Sequence, residues 1–422
     1  MGNALAANCS RDFWKEVKKV NKSKHCINKP PVIDGVSGDS QVTELWSAKF
    51  KELYNRCDPS QRDSLLDQLH SVITREDLAT IAVDSDTVVG ALKRLKLGKS
   101  DGRSLMSDHV LRAPPLLASK LSRLFTALLR HGYTAGCLRD SIIQPIPKGL
   151  KDPAISTNYR GIALASCLSK LLELCILMSF PDIFCTSDLQ FGYKKGFSTD
   201  LCTGLLKLVS SRYIQHGSKV RCALLDMSKA FDMVDHGQLF ESLCQRNLPN
   251  PVIRFLLQWY SNQHLEIRWN GILSSPFSVT NGVRQGGVLS PILFTVYIDE
   301  LLQRLQKLGV GCHWEGMFVG DLCYADDLAL IAPSAHALRR MLQVCSNFAL
   351  EKNLTFNAGK TQFICFCSHK FVVVDEKFEF CGQELTITDI VVHLRHTLSC
   401  DLSDSEDIEN KTKDLLDMLI AF

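Results

Sequence analysis

Asp326 and Asp327 stand side by side between two apolar runs, residues 317–323 and 328–332. The pattern reads as strand, tight turn, strand, and it leaves both acids at the tip of a hairpin. Adjacent carboxylates repel, so a fold that keeps them together calls for a cation, and all-oxygen donors suit a hard ion such as Mg²⁺. A third carboxylate must then come from elsewhere. Asp226 ends the run Cys222-Ala223-Leu224-Leu225, which reads as a buried strand. Two metals held by such a cluster activate a hydroxyl and stabilise leaving pyrophosphate in nucleotidyl transfer. The same acidic pair also suits an ordinary solvent-exposed turn.

Two further stretches weigh against the ordinary turn. Residues 225–232 read Leu-Asp-Met-Ser-Lys-Ala-Phe-Asp, and residues 281–291 read Asn-Gly-Val-Arg-Gln-Gly-Gly-Val-Leu-Ser-Pro. With Tyr324-Ala325-Asp326-Asp327 after them, they resemble, in order, the boxes of non-LTR retrotransposon (LINE-type) reverse transcriptases. The resemblance implies an α+β right-hand polymerase fold with fingers, a palm of mixed sheet flanked by helices, and an incomplete thumb. It divides the chain into a helical amino-terminal extension or linker over 1–80 and fingers with the finger-palm region over 81–220. The palm follows over 221–370, and the palm edge with the truncated thumb over 371–422.

The activity implied is RNA-directed DNA polymerisation, adding deoxynucleotides to a primer 3′-hydroxyl on an RNA template, with two Mg²⁺ ions for which Mn²⁺ can substitute. By the resemblance, Asp226, Asp326 and Asp327 are catalytic and bind metal together with the Met227 carbonyl. Lys148, Arg160, Phe231 and Gln285 meet the nucleotide, the Phe231 ring excluding a 2′-hydroxyl. Lys360 is a general acid for pyrophosphate, and Tyr193, Lys194, Gly286 and Tyr324 face template and primer. A point charge and a planar fork both suit a triphosphate. In Gln190-Phe191-Gly192-Tyr193-Lys194 an aromatic ring can stack on bases while a lysine meets phosphate. Each residue also has a plainer reading: a surface cation for Lys148, Arg160 or Lys360, core for Phe231, and a turn with an N-cap at Ser198 or Thr199. Asp232 and Asp235 read as structural, holding the turn and the helix after it.

Two positions depart from the family pattern. Gly161 stands where proline is usual, which predicts a more mobile loop, and Arg395 stands where a turn glycine is usual, which predicts strain if that residue needs positive φ. With a thumb that stops at Phe422, these leave a rival reading open, a decayed fragment that binds RNA without polymerising. An endonuclease would have to come from elsewhere.

Charge is nearly balanced, 48 basic against 45 acidic residues, so composition alone does not point to nucleic acid. Its distribution is uneven: Arg11, Lys15, Lys18, Lys19, Lys22, Lys24 and Lys29 make the start basic, and Asp401, Asp404, Glu406, Asp407 and Glu409 make the end acidic. The 17 cysteines form no Cys-x-x-Cys pair, which argues against a zinc ribbon and fits a reducing compartment, cytosol or nucleus. No apolar stretch is long enough for a membrane span.

Periodicity predicts a finger strand over 142–148 and helices over 201–213, 238–246 and 252–261. Strands follow over 264–269 and 277–281, then helices over 291–308 and 335–352. Strands at 362–366 and 371–374 would extend the palm, and a thumb helix would occupy 406–420.

Overall fold

The computed structural model describes residues 32–420 other than 101, 104–106, 108–109, 111–115, 150 and 369–375. The basic start and the strand expected at 371–374 lie outside the described residues.

Helix α1 (Asp39–Leu53) forms where Val42, Trp46, Phe50 and Leu53 recur at helical spacing, and all four are buried. Then come α2 (Ser60–Val72), α3 (Ser85–Arg94), whose first turn Asp84 caps through the Thr87 amide, and α4 (Leu116–His131). Strands β1 (Ser141–Pro147) and β2 (Tyr159–Leu164) lead to α5 (Cys167–Ser179) and to α6 (Thr199–Gln215), capped by Ser198. Strand β3 (Val220–Asp226) is followed by α7 (His236–Gln245), capped by Asp235, then α8 (Asn250–Ser261) and β4 (His264–Trp269). Next are α9 (Ser290–Lys307), β5 (Asp321–Tyr324), β6 (Asp327–Ala332), α10 (Ala335–Glu351) and β7 (Gln362–Phe366). The described chain closes with β8 (Thr386–Ile387), β9 (Ile390–His393), β10 (His396–Ser399) and α11 (Ser405–Ile420).

One 5-stranded sheet has the order β5-β6-β3-β7-β8, antiparallel except where β7 meets β8. Its central strands are apolar on both faces because both faces are covered. Along β3, Val220, Cys222 and Leu224 enter the core shared with α6, while Ala223 and Leu225 enter the larger core shared with α9 and α10. The edge strand β5 is shorter than the apolar run predicts. Met317–Phe318 pairs instead with His313–Trp314 in a side hairpin, and the chain rejoins the sheet where Ile331 N donates to Gly320 O at 2.8 Å.

A second 5-stranded sheet runs β2-β1-β4, continues to Ile272–Leu273, and takes Phe277–Ser278 on β4. Strand β4 comes from within residues 221–370, yet it pairs in parallel with β1, Ser141 opposite Leu265. The sheets therefore do not keep the division expected at residue 220. Helix α1 lies on this second sheet, where the Trp46 ring sits 5.0 Å from Tyr159 and 5.8 Å from Trp269, so this part of the chain is built into the fold rather than serving as a linker. Gly161 lies within β2, and a Cβ there would come 2.6 Å from Phe50 Cε1. Its missing side chain makes room for α1, in place of the mobile loop that the sequence predicts. Among the described residues, no helix is long and apolar enough to cross a membrane.

Candidate active site

Strand pairing alone brings the three acids together. Asp226 ends β3 directly opposite Asp327, the first residue of β6, and Asp326 occupies the turn one residue earlier. Burial pushes the Asp327 carboxyl up to about 6, and repulsion from Asp326 and Asp226 adds to the shift. Asp326 is raised by burial first and then by Asp226, with Arg160 pulling the other way. The donor set, carboxylates that repel one another and are partly stripped of water, is one that a hard divalent ion would relieve. Among the described residues no three such side chains close into a ready-made cage, and Lys360 Nζ lies 3.4 Å from Asp226 Oδ2. Met227, next after Asp226, bridges to Phe356, with Ser228 N donating to Thr355 O at 2.8 Å.

A cationic wall faces these acids. Burial lowers the Lys148 ammonium, and Arg160, Lys151, Lys360 and Lys229 lower it further by like-charge repulsion. Lys148 Nζ also donates to Thr157 O at 3.1 Å. Lys148 follows β1 and Arg160 sits in β2, so the second sheet carries positive charge to the acidic end of the first. Lys229, at φ 51 in the turn after Asp226, was not singled out from the sequence. The Phe231 ring is fixed nearby, stacked on Phe294 at 4.8 Å and edge-on to Tyr193 at 6.3 Å.

A sequence model of the reverse transcriptase (RNA-dependent DNA polymerase) family matches residues 146–385, more than half of the chain and all of this site from Lys148 to Lys360. The chain belongs to the reverse transcriptase family. It is 24% identical over 376 residues to the "Probable RNA-directed DNA polymerase from transposon X-element" of Drosophila melanogaster, covering 86% of this chain and 41% of that one. To the RNA-directed DNA polymerase from mobile element jockey of Drosophila funebris it is 26% identical, over 70% of this chain and 34% of that one. To the Pol polyprotein from the type-2 retrotransposable element R2DM of Drosophila melanogaster it is 26% identical, over 75% and 29%. The chain thus spans less than half the length of each of these curated relatives. Among solved structures, a telomerase from Candida tropicalis, in complex with a fragment of telomeric RNA, aligns with TM-score 0.45 and 12% identity over 69% of this chain and 49% of that one. The right-hand polymerase fold of the family is a mixed helix-and-sheet architecture, and the two sheets with their flanking helices form it here.

Two of the expected residues, Lys194 and Gly286, are turned onto the protein itself. The Lys194 ammonium is spent on the protein: it donates to Thr186 O at 2.9 Å and Ser187 O at 2.5 Å and lies over the Phe197 ring, so it is not placed to meet phosphate. Gly286, at φ 121, brings its backbone against β2. A Cβ there would be 2.6 Å from Ala163 O, and Gln285 O accepts from Ala163 N at 2.6 Å. Tyr193 is half exposed at φ 61, and Tyr324 pairs with Asp327 across the hairpin. Arg395 adopts φ 68, the left-handed conformation that its replacement of glycine makes costly.

Two supporting residues escaped the sequence reading. Gln190 is fully buried and cradles the acidic turn: its Oε1 accepts from Ala325 N and from Gly192 N, each at 2.9 Å, while its Nε2 lies 3.1 Å from Cys323 Sγ. Glu173, a lone acid in the apolar helix α5, forms a buried ion pair with Arg284, and its Oε2 accepts from Leu289 N at 2.9 Å. Arg284 thereby ties the glycine-rich loop to the protein core. An acid inside Leu-Leu-Glu-Leu-Cys was the available signal, because a buried carboxylate demands a partner.

Proposed function

We propose that this chain is the polymerase portion of a non-LTR retrotransposon RNA-directed DNA polymerase, which adds deoxynucleotides to a primer 3′-hydroxyl on an RNA template. The observation that carries the reading is the direct pairing of Asp226 with Asp327, with Asp326 beside them and the Lys148–Arg160 wall opposite. Reverse transcriptases use divalent metal ions, and Asp226, Asp326, Asp327 and the Met227 carbonyl are the groups that would hold two Mg²⁺ here. When bound, such ions supply Lewis acidity toward the attacking hydroxyl and the leaving pyrophosphate.

The protein's own side chains do the rest. Lys148 and Arg160 hold the triphosphate by charge, and the Phe231 ring, fixed by Phe294, leaves no room beside the sugar for a 2′-hydroxyl. Lys360, beside Asp226, gives a proton to pyrophosphate in this reading. Primer extension on an RNA template tests the reading. Asp326→Asn should reduce incorporation about a thousandfold without lowering the thermal transition. An undiminished product ladder would refute it. The left-handed Arg395 favours the rival, RNA binding without turnover. Salt-dependent RNA affinity in a wild-type preparation that extends no primer would establish that rival.

A further inference from the structure

Gln285, expected to face the nucleotide, is moored on its other side. Its Nε2 donates to Asp232 Oδ1 at 2.8 Å, and the Tyr54 hydroxyl donates to the same oxygen at 2.8 Å. Tyr54 ends α1, ahead of the stretch matched to the family, and is 4% exposed, while Asp232 is 6% exposed. The backbone around this pair is locked as well. Asn281 Nδ2 donates to Leu53 O at 3.0 Å and to Asp232 O at 2.7 Å, its Oδ1 accepts from Arg56 N at 2.7 Å, and Thr280 N donates to Tyr54 O at 2.8 Å. Three distant segments, the end of α1, the turn after Asp226 and the glycine-rich loop, thus meet at one carboxylate.

We infer that Asp232 is a positioning residue for Gln285, braced by Tyr54, which makes the end of α1 part of the nucleotide-binding apparatus. The inference rests on the polymerase reading above. The Asp232 Oδ1 atom accepts from both donors, so Asp232 holds Gln285 by its amide nitrogen. That fixes the amide and leaves Oε1 to accept from a donor on the bound nucleotide or template. Tyr54 keeps the carboxylate from turning, and without its hydroxyl the amide is free to rotate.

The test has two arms. In steady-state extension, Tyr54→Phe should raise the deoxynucleotide KM about fivefold with kcat within about twofold, the worth of one hydrogen bond. Asp232→Asn, whose amide oxygen can still accept from both donors, should stay within about threefold of wild type, whereas Asp232→Leu should raise KM about thirtyfold. In a Gln285→Ala background Tyr54→Phe should add nothing, since coupled residues are non-additive. A Tyr54→Phe effect of equal size in that background would overturn the inference. The second arm needs no turnover. With ¹⁵N-glutamine labelling, the Gln285 side-chain amide, assigned by its loss in Gln285→Ala, should give one distinct pair of signals that collapses toward the free-amide position in Tyr54→Phe. An amide already averaged in wild type overturns the relay, while a fixed amide in a wild-type protein that extends no primer overturns the polymerase reading instead.

Discussion

The hairpin turn between β5 and β6 and the one between β9 and β10 both force non-glycine residues to positive φ, Ala325 at 60° in the first, Leu394 at 50° and Arg395 at 68° in the second. Left-handed backbone costs such residues about 1–2 kcal/mol each. The two turns meet that cost differently. Ala325 is buried, its amide is gripped by Gln190, and Gly192 has no side chain because a Cβ there would fall 2.4 Å from Ala325 N. Arg395 is exposed, Leu394 packs only partly buried against the smaller core, and on the flank His396 Nε2 lies 2.8 Å from Asp200 and His396 Nδ1 lies 3.4 Å from Asp407. Strain next to the acids is caged, so it aims the acids; strain in the distal hairpin is merely tolerated.

Opening the cage should have the largest effect. Gln190→Leu keeps the volume but leaves the Ala325 and Gly192 amides without their acceptor, at about 1–3 kcal/mol of stability each. Once the acids lose their aim, kcat should fall about thirtyfold with the nucleotide KM unmoved. Calorimetry with steady-state kinetics checks both, and an unchanged kcat would break the contrast between the turns.

The repulsion inside the cage should be next in size. Asp327 is held at about 6 in the fold against an ordinary value of 3.8, so the folded state binds the extra proton between those values. Stability that this carboxyl contributes is present below pH 4 and is lost as pH rises through 6. In chelator, Asp327→Asn should therefore raise thermal stability at pH 7.5 by about 1–2 kcal/mol, discounted for partial exposure, and the gain should vanish near pH 4. A gain that grows on acidification would show that the repulsion has been misread.

The uncaged turn should respond least. Arg395→Gly relieves the left-handed cost but adds freedom to the unfolded chain, for a net gain of about 0.5–1 kcal/mol and a rise of about 1 °C in the melting temperature. A loss of stability would mean that Arg395 is held by contacts after all, and would erase the difference between the two turns.

The acidic turn and its partner strand were legible because local pattern dictates them: short apolar runs around a tight turn, and a buried run ending in Asp226. The helices were legible for the same reason: periodicity expects one over 291–308, and α9 runs Ser290–Lys307. What escaped was non-local. The partner of β4 lies more than a hundred residues earlier, and nothing in the periodicity of residues 264–269 says which of the two sheets they join. The grip of Gln190 on Ala325 and the seat of Phe50 beneath Gly161 depend on atoms that meet only after both sheets form. Lys194 misled because a lysine among aromatics reads as a phosphate ligand, whereas its ammonium closes off backbone carbonyls in its own loop.

The placement of β4 also limits how such chains can exchange parts. A recombinant that joins one parent's first half to another's second half near residue 220 would inherit β1 and β2 from one source and β4 from the other, so the parallel ladder of Ser141, Ile142 and Ile143 on Leu265, Glu266 and Ile267 would have to be compatible across two lineages. The second sheet is therefore not a module that can be grafted at one crossover, and viable hybrids should break the chain on both sides of β4 or not at all.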